Sequence, residues 1–308
     1  MSTAQPSLDT NVFRPPYHLA YFNFTGNAVI LCFHTVAISF YTHILYCYYF
    51  KKNRLKTSNL AGSLLVFLWT HLICAVSDVP YHTYLVVKWN PANQENYDPY
   101  VLYWTGISVS IYYNLTSLSV LLLSFERLLI SRFFAHCQNL EKWFLRVTVI
   151  FLLGYSIYPT AVYLTALPID KDKLTYCQSS SCVSTSTTLW VPNMRVLMII
   201  TNLLISSYFL WTFRSVSKKE KLNIRVVKMI IALEVAFNAF PSLVILLLVN
   251  ILKIDVFNNA GPILTVLITA NIAFSAAYTW FILVKRTKDA VIPLSNTKVN
   301  PRITPIVE

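Results

Sequence analysis

YVLYWTGISVSIYYNLTSLSVLLLSFERLLISRFF, Tyr100 to Phe134, is the stretch whose reading decides the fold. It predicts one long helix, because it contains no proline and its one glycine, Gly106, lies near its start. No formal charge interrupts it from Tyr100 to Phe125; then Glu126 and Arg127 arrive together. An uncharged run of about 18 residues or more reads as a membrane span, since about 20 residues rising about 1.5 Å each cross the hydrocarbon. The helix is not uniformly apolar. Tyr103, Gly106, Ser110, Tyr113, Asn114, Ser117, Leu121 and Ser124 share one face at helical spacing, and Ile111, Leu115, Leu118 and Leu122 share another. Small and polar side chains along one face suit burial against other helices, not exposure to lipid. This helix is therefore expected to be the third and most central of seven spans.

Composition agrees. Of 308 residues, 56% are hydrophobic and only 12% are charged, against about 25% charged in a soluble domain. The expected fold is an all-α membrane protein: residues 1–26 outside, a bundle of seven transmembrane helices over 27–284, and a short basic tail over 285–308. The first 22 residues lack the basic start and apolar core of a cleaved signal peptide, so the first span is expected to target the chain itself. The spans are expected near 27–50, 60–87, 100–132, 144–167, 190–213, 226–252 and 260–284. Asp78 and Pro80 are expected to break the second and Pro159 to kink the fourth, and Pro241 falls in the middle of the sixth.

Nineteen of the 25 Lys and Arg residues fall in the turns after spans one, three and five, in the tail, or on the flanking helix ends. The other six are Arg14, Lys88, Lys171, Lys173, Arg195 and Lys253. Basic residues in short loops stay cytoplasmic, which predicts an extracellular amino terminus and a cytoplasmic carboxyl terminus. The net charge of +12 is then explained by topology and by anionic inner-leaflet lipid, leaving no support for a nucleic-acid partner. Of six cysteines, only Cys177 and Cys182 fall on the oxidising side. They either close the small loop CQSSSC or remain free. Asn23-Phe24-Thr25 fits a glycosylation acceptor at Asn23, though it lies close to the first apolar run.

The residues Ser124-Phe125-Glu126-Arg127-Leu128-Leu129 at the inner end of span three are similar to the acidic-Arg-aromatic signature of rhodopsin-like G-protein-coupled receptors, with Leu128 where an aromatic usually sits. Phe237-Asn238-Ala239-Phe240-Pro241 resembles that family's aromatic-x-Pro kink. Span seven has Asn271 and Tyr278 but no Asn-Pro-x-x-Tyr, and the outer end of span three has no cysteine. This pattern of loss, the length and the abundance of Tyr and Phe resemble nematode serpentine chemoreceptors, of the small divergent classes xa or bc.

The resemblance implies an odorant-like small ligand held by Asp78, Tyr81, Tyr113, Asn114, Phe240 and Trp280. It implies a switch at Glu234 and Pro241. It also implies coupling to a heterotrimeric G protein through Glu126, Arg127, Lys218, Lys219 and Lys221, in a plasma membrane, that of a sensory neuron.

Each of these residues also has a plainer reading. Arg127 anchors many helices by reaching toward phosphates, and Glu126 neutralises it. Asp78 and Glu234 lie at membrane depth, where a charge costs several kcal/mol and needs a partner. Glu234 is four residues from Asn238, so the two share a face. Tyr81 and Trp280 also suit interfacial belts. His34, His43 and His71 lack ligand partners at useful spacing, so they are expected to pack or hydrogen-bond, with no metal site. There is no phosphate-cradling glycine loop, no zinc spacing and no nucleophile elbow, so neither an enzyme nor a cofactor is expected. The alternative to a receptor is a seven-span transporter or ligand-gated channel, with a lipid-scrambling or structural protein as a third reading.

Overall fold

The computed structural model describes residues 17–50, 62–89, 97–132, 137–167, 169, 190–212, 221–250 and 262–285. Among them there are helices and no strands. In chain order the α-helices are α1 (Tyr17–Phe50), α2 (Gly62–Val87), α3 (Pro99–Arg132), α4 (Cys137–Thr165), α5 (Trp190–Thr212), α6 (Lys221–Glu234), α7 (Phe240–Asn250) and α8 (Ile263–Trp280). A π-turn, Val235–Ala239, joins α6 to α7 in one rod, and a second, Phe281–Lys285, extends α8. Six of these rods are long and apolar enough to cross a membrane, while α5 contributes a shorter apolar helix, Val196–Thr212. The protein is thus an all-α, multi-pass membrane protein.

Helix α3 sits at the centre and packs against α2, α4, α5 and α6. Its first turn is set by sequence. The Asp98 carboxylate accepts from the Tyr100 amide at 2.8 Å and the Val101 amide at 3.4 Å, and Pro99 fills the first helical position, where no N–H is needed. Just before this cap, Tyr97 donates to the Leu85 carbonyl at 3.3 Å. Burial, with the neighbouring Tyr84 phenol, pushes the Tyr97 phenol up to about 12. The polar face of α3 is inward: Tyr103, Gly106, Asn114, Ser117, Leu121 and Ser124 are buried. The opposite face is also largely covered, with Leu118 buried against Leu152 of α4.

Helix α1 lies between α2 and α8. It starts at Tyr17, ten residues before the expected start at Asn27. Its early turns are held to the end of α2 by Trp89, whose indole N–H donates to the Ala20 carbonyl at 3.2 Å and whose ring contacts Tyr21 and Phe24. Asn23 therefore lies inside a helix, with its carbonyl accepting from Asn27 Nδ2 at 2.8 Å.

Two expected interruptions turn out otherwise. Helix α2 runs through Asp78 and Pro80 without a break. Pro80 is exposed and Asp78 is buried, and in the turn before the proline Ser77 Oγ bonds the Cys74 carbonyl at 2.9 Å. Such side-chain bonding is how spans tolerate proline. In the sixth rod the irregularity precedes Pro241: the Phe240 amide reaches back five residues to the Val235 carbonyl. A proline ring clashes with the carbonyl four residues before it, and a π-turn is a common way to relieve that conflict.

Where α1 meets the start of α8, the backbone approach is close. A Cβ on Gly26 would stand 2.5 Å from Pro262 Cγ, whereas one on Gly154 would meet nothing within 4 Å. Gly26→Val should therefore lower the melting temperature of the detergent-solubilised protein by several degrees, the scale of about 1–3 kcal/mol of overpacking. Gly154→Ala should leave it unchanged or raise it.

Candidate functional site

The centre of the bundle is built on one carboxylate. Glu234, the last residue of α6, is buried. Its Oε1 accepts from Ser117 Oγ of α3 at 2.9 Å, from Asn202 Nδ2 of α5 at 3.3 Å and from Asn238 Nδ2 of the π-turn at 2.7 Å. Its Oε2 accepts from Asn271 Nδ2 of α8 at 2.7 Å. Asn238 Nδ2 also donates to Ser117 Oγ at 2.7 Å, which accounts for both of its hydrogens. Four neutral donors from four elements thus converge on a group that, when ionised, only accepts.

The orientation of the amides has a simple cause. Each of the three asparagines is followed four residues later by a serine on the same helical face. Ser206 donates to Asn202 Oδ1 at 3.1 Å, Ser242 to Asn238 Oδ1 at 3.5 Å and Ser275 to Asn271 Oδ1 at 3.4 Å. With each Oδ1 engaged by its serine, each Nδ2 turns toward Glu234. The pairing of Glu234 with Asn238 matches the expectation from their spacing. The roles of Ser117, Asn202 and Asn271 were not foreseen, although the recurring Asn-x-x-x-Ser on three spans is a legible signal.

One turn before Ser117, Asn114 is buried. Its Nδ2 donates to the Ser110 carbonyl at 2.9 Å, and its Oδ1 has no hydrogen-bond partner among the described residues. Tyr113 is partly buried against the main core, with its ring 5.6 Å from that of Tyr112. Tyr81 is buried in a second apolar cluster with Tyr97, Leu102, Tyr103 and Ile107. The remaining residues of the expected pocket do not gather with these. Phe240 is 63% exposed on the outside of the rod. Trp280 donates to His43 Nδ1 at 2.7 Å, nine residues along α1 from His34 and hence about 13 Å away along the axis.

At the far end of α3, Glu126 is buried and receives a hydrogen bond from the Ser63 hydroxyl of α2. Arg127 Nη2 lies 3.6 Å from Glu126 Oε2, an ion pair longer than a hydrogen bond. Leu128, at the position where the resembled signature has an aromatic, is buried in the main core. Lys221 opens α6. Lys218, Lys219, Cys177 and Cys182 lie outside the described residues.

Asp78 is fully buried, with His34 Nε2 2.9 Å and His82 Nε2 3.4 Å from its Oδ2. His34 thus hydrogen-bonds as expected, with a partner from another helix. The sequence does contain a signal, since Asp78 and His82 are four residues apart on one face of α2; His34 arrives from α1, and no local spacing predicts it. His71 and His43 behave as expected: His71 Nε2 lies 3.2 Å from Ser119 Oγ and packs on Phe67, and His43 takes the Trp280 hydrogen bond. No protein-family model and no curated protein sequence matches the chain.

Replacing Glu234 tests the central cluster. Glu234→Ala strands four buried donors and should lower stability in detergent by about 2–5 kcal/mol, against about 1–3 kcal/mol for one stranded group. Glu234→Gln, which retains one acceptor, should cost less. Combined with Ser117→Ala in a double-mutant cycle, thermal unfolding should show non-additivity of about 0.5–3 kcal/mol; additive losses would mean that the two side chains are not coupled.

Proposed function

We propose that the protein is a seven-span receptor of the plasma membrane that binds a small extracellular ligand and activates a heterotrimeric G protein. In this reading α5 also crosses the membrane, as the fifth of seven spans, the amino terminus is outside and the carboxyl terminus is in the cytoplasm. The bias of Lys and Arg toward alternate connections supports that orientation. The observation that carries the reading is the meeting of α3, α5, the α6–α7 rod and α8 at Glu234, beside the π-turn and Pro241. A receptor needs an element with two arrangements and a ligand that binds one of them more tightly. A carboxylate with four neutral donors offers such an element, because donors can be exchanged without leaving the charge bare.

Asn114 supplies the link to a ligand. Its buried carbonyl oxygen lies one turn from Ser117, so a ligand donor bound there would press directly on a member of the Glu234 cluster. Movement of the α6–α7 rod about the π-turn would then change the surroundings of Glu126 and Arg127 at the inner end of α3, where a G-protein segment would dock together with the basic residues Lys218, Lys219 and Lys221. In this reading Tyr81 and Tyr103, buried together in the second apolar cluster, stand on the ligand's side of the bundle.

A proton-coupled carrier is the second reading. Intramembrane carboxylates such as Glu234 and Asp78 are also what proton relays use. A ligand-gated channel belongs to the same alternative. Flux through vesicles that hold the purified protein, without any G protein, would favour either of these over a receptor.

In cells, an epitope tag at Met1 should be accessible without permeabilisation. Arg127→Ala should abolish the second-messenger response, basal and ligand-evoked, across a panel of volatile and water-soluble compounds, while surface expression is retained. An unchanged response from Arg127→Ala, or a tag found inside the cell, would overturn the receptor reading.

A further inference from the structure

The cluster formed by His34, Asp78 and His82 has a feature that the receptor reading does not use. The Asn27 side chain is held in one orientation, since its Nδ2 donates to the Asn23 carbonyl at 2.8 Å. Its Oδ1 therefore faces His82 Nδ1 at 2.7 Å, and an amide oxygen can only accept. His82 Nδ1 must carry the hydrogen. In the neutral ring, Nε2 is then a bare lone pair, aimed at Asp78 Oδ2 from 3.4 Å. Two acceptors face each other in a site where all three side chains are at most 2% exposed. His82 Nε2, Asp78 Oδ1 and His34 Nδ1 have no hydrogen-bond partner among the described residues. Something positive must lie between the lone pair and the carboxylate.

We propose that His34, Asp78 and His82 bind a divalent transition-metal ion of the zinc class. One ligand atom from each residue falls within 4.8 Å of the other two. Ligands about 2.0–2.1 Å from a tetrahedral zinc stand about 3.3 Å apart, and Asp78 Oδ2 stands 2.9 Å and 3.4 Å from the two Nε2 atoms. Two imidazoles and one carboxylate suit zinc and its late first-row neighbours, whereas calcium and magnesium demand an all-oxygen shell. Asp78 and His82 occupy positions i and i+4 of one helix, a spacing that brings two ligands to one ion. Asn27 supplies the outer hydrogen bond that fixes the tautomer of a ligating histidine.

Three protein ligands leave a fourth position for water or for a donor atom of a bound molecule. His82 lies five residues before the end of α2 at Val87, about 7–8 Å along the axis, so an ion has a short way to travel. Bound there, the ion would tie α1 to α2.

The full-length protein, purified in detergent and stripped with chelator, is titrated with Co2+ and then Zn2+. One equivalent of Co2+ should produce a saturable visible absorption band, displaced by one equivalent of Zn2+, and Zn2+ should raise the melting temperature. Asp78→Asn and His82→Gln should weaken Co2+ binding at least 100-fold. Asn27→Ala should retain the band with affinity about 10–100-fold lower, the usual loss when an outer-shell partner is removed. His43→Gln, which disrupts the His43–Trp280 hydrogen bond elsewhere on α1, should bind as the wild type does. Absence of saturable Co2+ binding by the wild type, or wild-type affinity in His82→Gln, would overturn the proposal and assign a proton on His82 Nε2 as the positive charge. The wild-type titration needs no variant to fold, and none of these readouts depends on signalling.

Discussion

A carboxylate in a helix bundle surrounded by hydrocarbon must find donors or a countercharge, since an unpartnered ion there costs several kcal/mol. Glu234 meets that requirement with side chains from α3, α5, the π-turn and α8. The result is positional. Apolar contact between spans does not by itself select one register, because lipid tails are as apolar as leucine. Directed hydrogen bonds do select one, and those at Glu234 set the depth of four rods at a single level. The three serines that hold the amides in place extend the constraint by a turn along α5, α7 and α8.

The three buried carboxylates among the described residues are handled differently. Glu126, at the end of α3 near the basic connections, has an arginine beside it and a serine from α2. Glu234, level with a serine nine residues back along α3 and hence about 13 Å away along that axis, is met by amides. Asp78, toward the other end of α2, stands between two imidazoles. A cation at the end, neutral dipoles in the middle and titratable or ligating rings near the opposite end form a gradient in chemistry. Of the three, the middle solution joins the most helices, and the Asp78 cluster is the one that joins α1 to α2.

Much of this was legible in the chain. The uncharged run from Tyr100 to Phe125 predicted a central helix with an inward polar face, and Asn114, Ser117 and Ser124 are buried as that periodicity requires. The pairing of Glu234 with Asn238 followed from a four-residue spacing. What escaped depended on contacts between spans. His34 and Asp78 are 44 residues apart, and nothing in either segment announces the other. Pro80 was expected to interrupt α2, but an outward-facing proline in a span with serine nearby is accommodated within the helix. Pro241 marked the right region of the sixth rod, yet the backbone change lies just before it, where the ring's steric demand falls. Phe240 and Trp280 join the expected pocket on resemblance alone; in the bundle Phe240 is exposed and Trp280 bonds His43.

The π-turn at Val235–Ala239 has a further consequence for the sixth rod. A π-turn holds one more residue than the α-helical turn it replaces, so the residues after it are rotated by about 100° from the phase set by α6. A hydropathy wheel drawn across the whole rod in a single phase would therefore misalign α7 with α6 by that angle. Loss of one residue from this turn would spin the distal half of the rod by the same angle relative to α6, while leaving every amino acid beyond it unchanged.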